Sequence, residues 1–294
     1  MKIALLPDRG VISVTGPDAA KLLQGIITND MRVLEQAPAL HAGLLSAQGK
    51  ILFDFFVVKV EDGFLIETAR AAVNALRQRL EMYRLRADAV ITDVTSDYSV
   101  AAAWDISGAE VSHSRHTIVY ADPRHAGLGL RYLASLESNW RRDLEGAEPA
   151  TREDYDAHRI ALGVPEAGAD FVVGDTYPHE ALYDLTNSVS FRKGCYVGQE
   201  VVSRMQHKTV VRKRVVRVAG AGLAKGAEMK FGEVVIGSVG TAQGGKGLAF
   251  VKLDRASEAA DKGTALMAGG APVEINADDL ARYRASLAGR SEGA

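Results

Sequence analysis

The chain has 294 residues, of which 47% are hydrophobic and 24% are charged, and its formal net charge is −2. A chain of this length can bury a sizeable core in two or three domains, and its composition is that of a globular protein rather than a disordered one. The near-neutral charge gives no reason to expect a nucleic acid or an acidic membrane as partner.

The N-terminal half predicts a mixed α+β unit. Gly16-Pro17-Asp18 opens a short helix, because proline suits the first helical turn. Residues 61–63 predict a hairpin turn, and apolar residues at helical spacing from Val73 to Tyr83 predict a second helix. Strands are predicted at residues 11–14, 51–60, 64–66, 90–91 and 100–104. This order favours an α+β fold over regular βαβ winding.

The C-terminal half changes character along its length. Thr151 with Asp154 predicts a capped helix start, and the helix is expected to end near Gly163. Past Arg204, short apolar runs separated by glycines predict a small all-β domain. These runs are residues 210–211, 215–216, 234–236 and 248–251. Residues 278–287 predict a terminal helix.

The cellular compartment is predicted from the cysteine content and the N-terminus. A single cysteine, Cys195, rules out an intramolecular disulfide and suits a reducing compartment. Residues 1–8 lack an apolar run long enough for a signal peptide, and no window of the chain reaches the length of a membrane span. We therefore expect a cytoplasmic protein with no membrane partner.

Cys195 lies in the octapeptide KGCYVGQE at residues 193–200, next to Arg192 and Lys193. A thiol acts as a nucleophile or metal ligand only as thiolate, which nearby cations and a helix N-terminus stabilise. The glycines allow a tight turn, and residues 199–205 predict a helix start. The alternative is an inert cysteine in the core. The predicted site comprises Cys195 with Lys193, Gly194, Tyr196, Gly198, Gln199 and Glu200.

Residues 190–200 resemble the signature of the YgfZ family of folate-binding proteins, relatives of the glycine cleavage T protein. Four further blocks of the chain resemble family motifs in the expected order. They are residues 23–25 with 28–30, residues 48–54, residues 122–124, and residues 159–160 with 163–165. The resemblance covers nearly the whole chain and fades after about Val218.

The resemblance implies a three-domain, T-protein-like ring around a central cavity, with α+β domains and a small C-terminal β-barrel. Its first, folate-binding domain is split between residues 1–44 and 123–203. The second domain, at residues 45–122, is inserted into the first. The barrel domain occupies residues 204–294.

Candidate folate contacts follow from the resemblance. Asp54 aligns with an acidic position of T proteins that faces the reactive nitrogen of folate, although an exposed acid on an alternating strand is the alternative. Glu180 lies in an element resembling a Pro-x-Glu-Ala sequence of T proteins, and could equally be a surface acid. The basic run 204–217 suits phosphates or a glutamate tail, or is a solvated edge strand. The predicted contacts are Asn29, Asp54, Glu180, Arg204 and Arg214.

The chain also departs from the T proteins at two positions. Where they carry a glutamate that holds the pterin ring, this chain has Ala161, and Phe53 replaces the first residue of their acidic pair. Both changes count against aminomethyl transfer. The histidines show no metal-ligand spacing, since nothing completes a zinc set around His113 and His116, and we expect no metal site.

The function that the resemblance implies is binding of tetrahydrofolate or a one-carbon derivative in support of iron–sulfur cluster assembly or repair, with an indirect link to tRNA modification. The expected partners are the folate ligand and iron–sulfur proteins or their assembly factors. We expect a monomer that binds no nucleic acid stably. A tetrahydrofolate-dependent aminomethyltransferase and a tRNA-binding module remain as alternatives, and the sequence does not decide whether the protein has catalytic turnover.

Overall fold

The computed structural model describes residues 1–106, 117–136 and 146–288. The chain forms two compact units. The first unit comprises Met1–Ala47, Ile51–Tyr155 and Leu185–Gln199, and the second comprises Gln48–Lys50, Asp156–Asp184 and Glu200–Ala294. His113 and His116 lie outside the described residues.

The first unit contains two five-stranded sheets. One sheet has the order β10-β1-β7-β9-β8 and the other β3-β4-β5-β2-β6. The strands are β1 Lys2–Leu5, β2 Arg9–Thr15, β3 Ala39–Leu45, β4 Ile51–Val60, β5 Gly63–Ala69, β6 Val90–Asp93, β7 Tyr98–Trp104, β8 Thr117–Ala121, β9 Leu130–Ser135 and β10 Glu148–Ala150. The helices are α1 Ala19–Ile26 and α2 Val73–Arg84, with a 3-10 turn at Met31–Glu35.

Strand β4 explains how the core of the first unit is arranged. Phe55 and Val57 are buried in a cluster with α1 and α2, whereas Phe56 and Val58 are buried in a second cluster with the other sheet. Successive side chains point to opposite faces of a strand, so a strand covered on both faces is apolar throughout. The predicted strand at residues 51–60 is confirmed with the same bounds.

The second unit contains a closed six-stranded barrel with the order β11-β14-β13-β12-β15-β16. Its strands are β11 Lys213–Gly220, β12 Glu228–Phe231, β13 Val234–Gln243, β14 Lys246–Lys252, β15 Leu266–Ala268 and β16 Ala271–Ile275. The remaining helices are α3 Arg152–Leu162, α4 Gln199–His207, α5 Leu253–Asp261 and α6 Ala277–Ala288. Inward residues of the barrel pack with Ile160 and Leu253. The predicted C-terminal β-barrel is confirmed.

The start of α3 has the predicted capping geometry. The backbone N–H of Asp154 donates to the Thr151 hydroxyl at 3.1 Å, and the backbone N–H of Thr151 donates to the Asp154 carboxylate at 2.8 Å. Two backbone donors that the helix leaves without partners are thereby satisfied. The predicted start of this helix is confirmed.

The three-domain bounds remain a prediction. The division between residues 44 and 45 falls inside β3, which pairs with β4 across it. Strands β3 and β4 therefore belong to one sheet, and the two compact units divide the chain at other positions.

Candidate functional site

Cys195 is exposed, in a segment between Leu185 and α4 that has no helix or strand. The turn into α4 requires a positive φ of 81° at Gly198, a conformation that glycine adopts without strain. Gln199 starts the helix, and the exposed Glu200 carries a negative charge in its first turn. A side chain at Gly194 would meet nothing within 4 Å. The alternative of a cysteine buried in the core is therefore wrong.

Lys193 has a different position from the one expected. It was expected to be a cation beside the thiol, but it is 5% exposed and its ammonium points into the first unit. Nζ donates to the carbonyl oxygens of Gln24 at 2.8 Å, Ile27 at 2.7 Å and Asn29 at 2.8 Å. All three ammonium hydrogens have acceptors there, so the part of Lys193 that carries the charge is committed to the end of α1.

Tyr196 covers the same ammonium. Its ring centroid lies 5.0 Å from the Lys193 Nζ atom, and the side chain is buried. Burial raises the pKa of the Tyr196 phenol, so the ring is neutral. Burial also lowers the pKa of Lys193 to about 8, against the opposing charge of Asp30. The two residues flanking Gly194-Cys195 are thus the inward-facing part of the motif.

A second set of contacts holds the start of this segment to the first unit. The Thr28 hydroxyl donates to the Ser188 carbonyl at 2.7 Å, and the Ser188 hydroxyl lies 2.7 Å from Nδ1 of His41. The Asn29 amide donates to the carbonyls of His41 at 2.8 Å and Asn187 at 2.6 Å. Both amide hydrogens of Asn29 are thereby used, so the structure gives this predicted folate contact a structural role.

Asp54 is mostly buried, with its side chain 9% exposed and Oδ2 3.3 Å from Nε2 of His41. The alternative of a solvent-facing acid is wrong. A carboxylate is costly to bury without a polar neighbour, and the His41 ring, 2% exposed, provides one. Sequence reasoning missed His41, although a histidine inside the otherwise apolar strand β3 was a signal for a buried polar partner.

Glu180 belongs to the second unit and is partly buried. Burial raises the pKa of its carboxyl, while the N–H donated by Tyr177 at 2.9 Å and the charges of Lys50 and Lys213 act in the opposite direction. The Lys50 ammonium lies 3.6 Å from the centroid of the Tyr177 ring. This carboxyl group therefore lies near the charges of Lys50 and Lys213 and accepts a backbone N–H.

The basic run 204–217 does not form one exposed face. Arg214 is buried and makes two hydrogen bonds of 2.8 Å to the Asp184 carboxylate. Arg217 pairs with Asp279 at 2.7 Å. Arg204 is exposed and pairs with Glu200 at 2.8 Å along α4. The structure thus uses Arg214 to hold the second unit together, so its predicted contact with folate is not supported.

The described residues contain no group of three or more histidine, cysteine or acidic side chains that could hold a metal ion. Among the helices in the described part of the chain, none is long and apolar enough to cross a membrane.

Family models match two parts of the chain. The model of the GCVT N-terminal domain matches residues 8–111, and that of the CAF17 C-terminal β-barrel domain matches residues 212–283. Among solved structures, the glycine cleavage system aminomethyltransferase T from Bartonella henselae has a TM-score of 0.72, with 15% identity, 95% of this chain covered and 86% of that chain. The predicted T-protein-like fold is confirmed.

Three relatives of the chain are described as mitochondrial iron–sulfur cluster assembly factors named IBA57. The human protein is 31% identical over 278 residues, which are 84% of this chain and 76% of that protein. The Mycosarcoma maydis homologue is 35% identical over 231 residues, 73% of this chain and 56% of that protein. The Neurospora crassa homologue is 32% identical, over 71% of this chain and 52% of that protein. The chain thus spans little more than half the length of these two fungal relatives.

The names of these relatives correct one prediction. All three are described as mitochondrial proteins. The prediction of a cytoplasmic location is therefore wrong. It was based on the single cysteine and on the lack of a signal peptide for secretion, and neither feature separates the cytoplasm from a mitochondrion.

Proposed function

The chain belongs to the IBA57 family of iron–sulfur cluster assembly factors, and we propose that it supports assembly or repair of iron–sulfur clusters with Cys195 as its working thiol. The names of the relatives support a role in iron–sulfur cluster assembly. The choice of Cys195 as the working thiol is supported by its position: it is exposed, while Lys193 and Tyr196 on either side point inward. Iron–sulfur proteins or their assembly factors are the proposed partners.

The chemistry of an exposed thiol suits this role. Thiolates are soft ligands and the usual protein ligands of iron–sulfur clusters. No other cysteine is present in the chain, so any further cysteine ligand of a cluster bound by Cys195 would come from a partner. The same thiol could resolve a mixed disulfide or take up a one-carbon unit, and these remain alternatives for its chemistry.

We propose tetrahydrofolate or a one-carbon derivative as a ligand of the first unit, with Asp54 as the contact. The hydrogen-bonding groups of the protein fit a folate in part. The Asp54 carboxylate can accept an N–H from a pterin, whereas both amide hydrogens of Asn29 are already donated to carbonyl groups. When bound, a one-carbon derivative would supply its one-carbon unit from nitrogen. Membership of the YgfZ branch and an indirect role in tRNA modification belong to the same proposal.

Binding of folate should depend on Asp54. Calorimetry with tetrahydrofolate and its formyl and methylene forms should give measurable heat, and ligand at about 100 times Kd should stabilise the protein by about 2.7 kcal/mol. Asp54→Asn should weaken binding about tenfold or more, because a carboxylate accepts a hydrogen bond more strongly than an amide. Asp62→Asn, in the exposed turn before β5, is the matched control. Equal binding by all three proteins would exclude Asp54 as the contact.

Aminomethyl transfer is not supported by the residue at position 161, where T proteins carry a glutamate that holds the pterin ring. The carbonyl of Ala161 accepts a hydrogen bond from Arg217 at 3.3 Å, and its methyl side chain cannot accept the pterin N–H groups. The similarity to the aminomethyltransferase, at 15% identity, concerns the fold alone.

Restoration of iron–sulfur enzymes tests the proposed function. Cells that lack their own relative of this chain should regain the activity of a [4Fe–4S] enzyme when they express it. An enzyme of similar stability that carries no cluster serves as the control and should not change. If the chain is expressed as folded protein and the cluster enzyme stays inactive, the proposal is wrong.

A further inference from the structure

The three carbonyl groups that accept from Lys193 define a specific binding geometry. Nζ lies 2.8, 2.7 and 2.8 Å from the oxygens of Gln24, Ile27 and Asn29. The last carbonyls of a helix lack partners within it, and α1 ends at Ile26. An ammonium carries three hydrogens at tetrahedral angles, so it satisfies three converging acceptors at once.

Lys193 is two residues from Cys195, and the intervening Gly194 has no side chain to contact the protein. The Lys193 contacts therefore fix the backbone from which the thiol projects. On the other side, Gln24 donates its side-chain N–H to Asp30 at 3.2 Å and accepts the backbone N–H of Met31 at 2.8 Å. Gln24 is thus itself held in place, so its carbonyl group is a fixed acceptor for the Lys193 ammonium.

We propose that Lys193 is a positioning residue for Cys195: its ammonium binds the carbonyls of Gln24, Ile27 and Asn29 and so fixes the loop that presents the thiol. This inference rests on the proposed function, since positioning has a purpose only if Cys195 works. It differs from the expectation that Lys193 acts by its charge on the thiol, because the geometry of the three bonds, and not the charge alone, is what the loop requires.

Amide hydrogen exchange of residues 186–199 in the full chain tests the proposal. Lys193→Met, similar in size but without donors, should speed exchange of this segment about tenfold at pH 7 and leave β4 unchanged. Lys193→Arg keeps the charge but cannot place three hydrogens on the same acceptors, and should not restore slow exchange. Arg192→Met, which removes the neighbouring exposed cation, is the matched control and should exchange like the wild type.

Slow exchange of β4 in the same experiment shows that each variant is folded, so faster exchange confined to residues 186–199 reports the loop alone. Unchanged exchange in Lys193→Met, or full restoration by Lys193→Arg, overturns the proposal.

The result for the proposed function is separate. Cys195→Ser should keep slow exchange and lose activity. A Cys195→Ser variant that remains active would overturn the role of the thiol, whatever the Lys193 variants show.

Discussion

Glu67→Gln should lower the free energy of unfolding by about 3–5 kcal/mol, because it removes a buried negative charge that faces two buried guanidinium groups. Glu67 is 0% exposed and accepts from Arg9 at 2.9 Å, from Arg131 at 3.0 Å and from the Tyr120 hydroxyl at 2.6 Å. Arg9 lies in the sheet of β4, whereas Arg131 and Tyr120 lie in the other sheet of the first unit. The carboxylate therefore joins the two sheets.

The pH dependence of this effect has a definite sign. Burial alone would raise the pKa of Glu67, but the charges of Arg131 and Arg9 outweigh it and lower the pKa to about 2 from 4.5. The stabilisation is thus complete above pH 4.5 and is lost as the pH falls toward 2, by about 3 kcal/mol. Urea unfolding at several pH values measures both effects. Glu61→Gln, in the exposed hairpin turn, should match the wild type. This role would be contradicted by a Glu67→Gln protein that is as stable as the wild type and loses stability in the same way as the pH falls below 4.5.

Arg159→Met should destabilise the second unit by a similar amount, about 3–5 kcal/mol. The guanidinium is 1% exposed and forms ion pairs with Asp156 and Asp170, and the Asp170 side chain is 0% exposed. Methionine would fill much of the volume but leave the Asp170 carboxylate buried without its cation. The backbone N–H groups of Glu166 and Thr241 would still donate to it, which limits the loss.

The control for this substitution is Arg255→Met in α5. Arg255 pairs with Glu258 at 2.8 Å on the exposed face of that helix, where ion pairs contribute little. Thermal unfolding of both variants should separate them clearly. If Arg159→Met has the same melting temperature as Arg255→Met, the buried ion pairs of Arg159 do not stabilise this unit.

Features that depend on local sequence were predictable. The ten residues of β4 are apolar almost throughout, and the helix cap at Thr151 and Asp154 lies within four residues. The all-β character of the C-terminal region was predictable because its apolar runs are separated by glycines, whereas its closure into a barrel was implied by the resemblance. Local patterns of this kind determine where elements begin and end, since backbone hydrogen bonding and burial act over a few residues.

The contacts around the site were not predictable in this way. Lys193 binds Gln24 across 169 residues of sequence, and Arg214 binds Asp184 across 30. A cationic side chain in a sequence is expected in solvent, because burial without partners is costly. Only the folded chain brings three carbonyls to Lys193 and a carboxylate to Arg214. The resemblance could indicate that the motif is functional, but not which of its residues point inward.

The most direct test of the central claim compares the wild-type chain with Cys195→Ser in cells that lack their own relative. Serine is nearly isosteric and Cys195 is exposed, so the melting temperature should not change. At equal protein levels, the wild type should restore the activity of a [4Fe–4S] enzyme. Cys195→Ser should leave that activity at the level of cells that express neither protein. Full restoration by Cys195→Ser would contradict the claim that Cys195 is the working thiol of this protein.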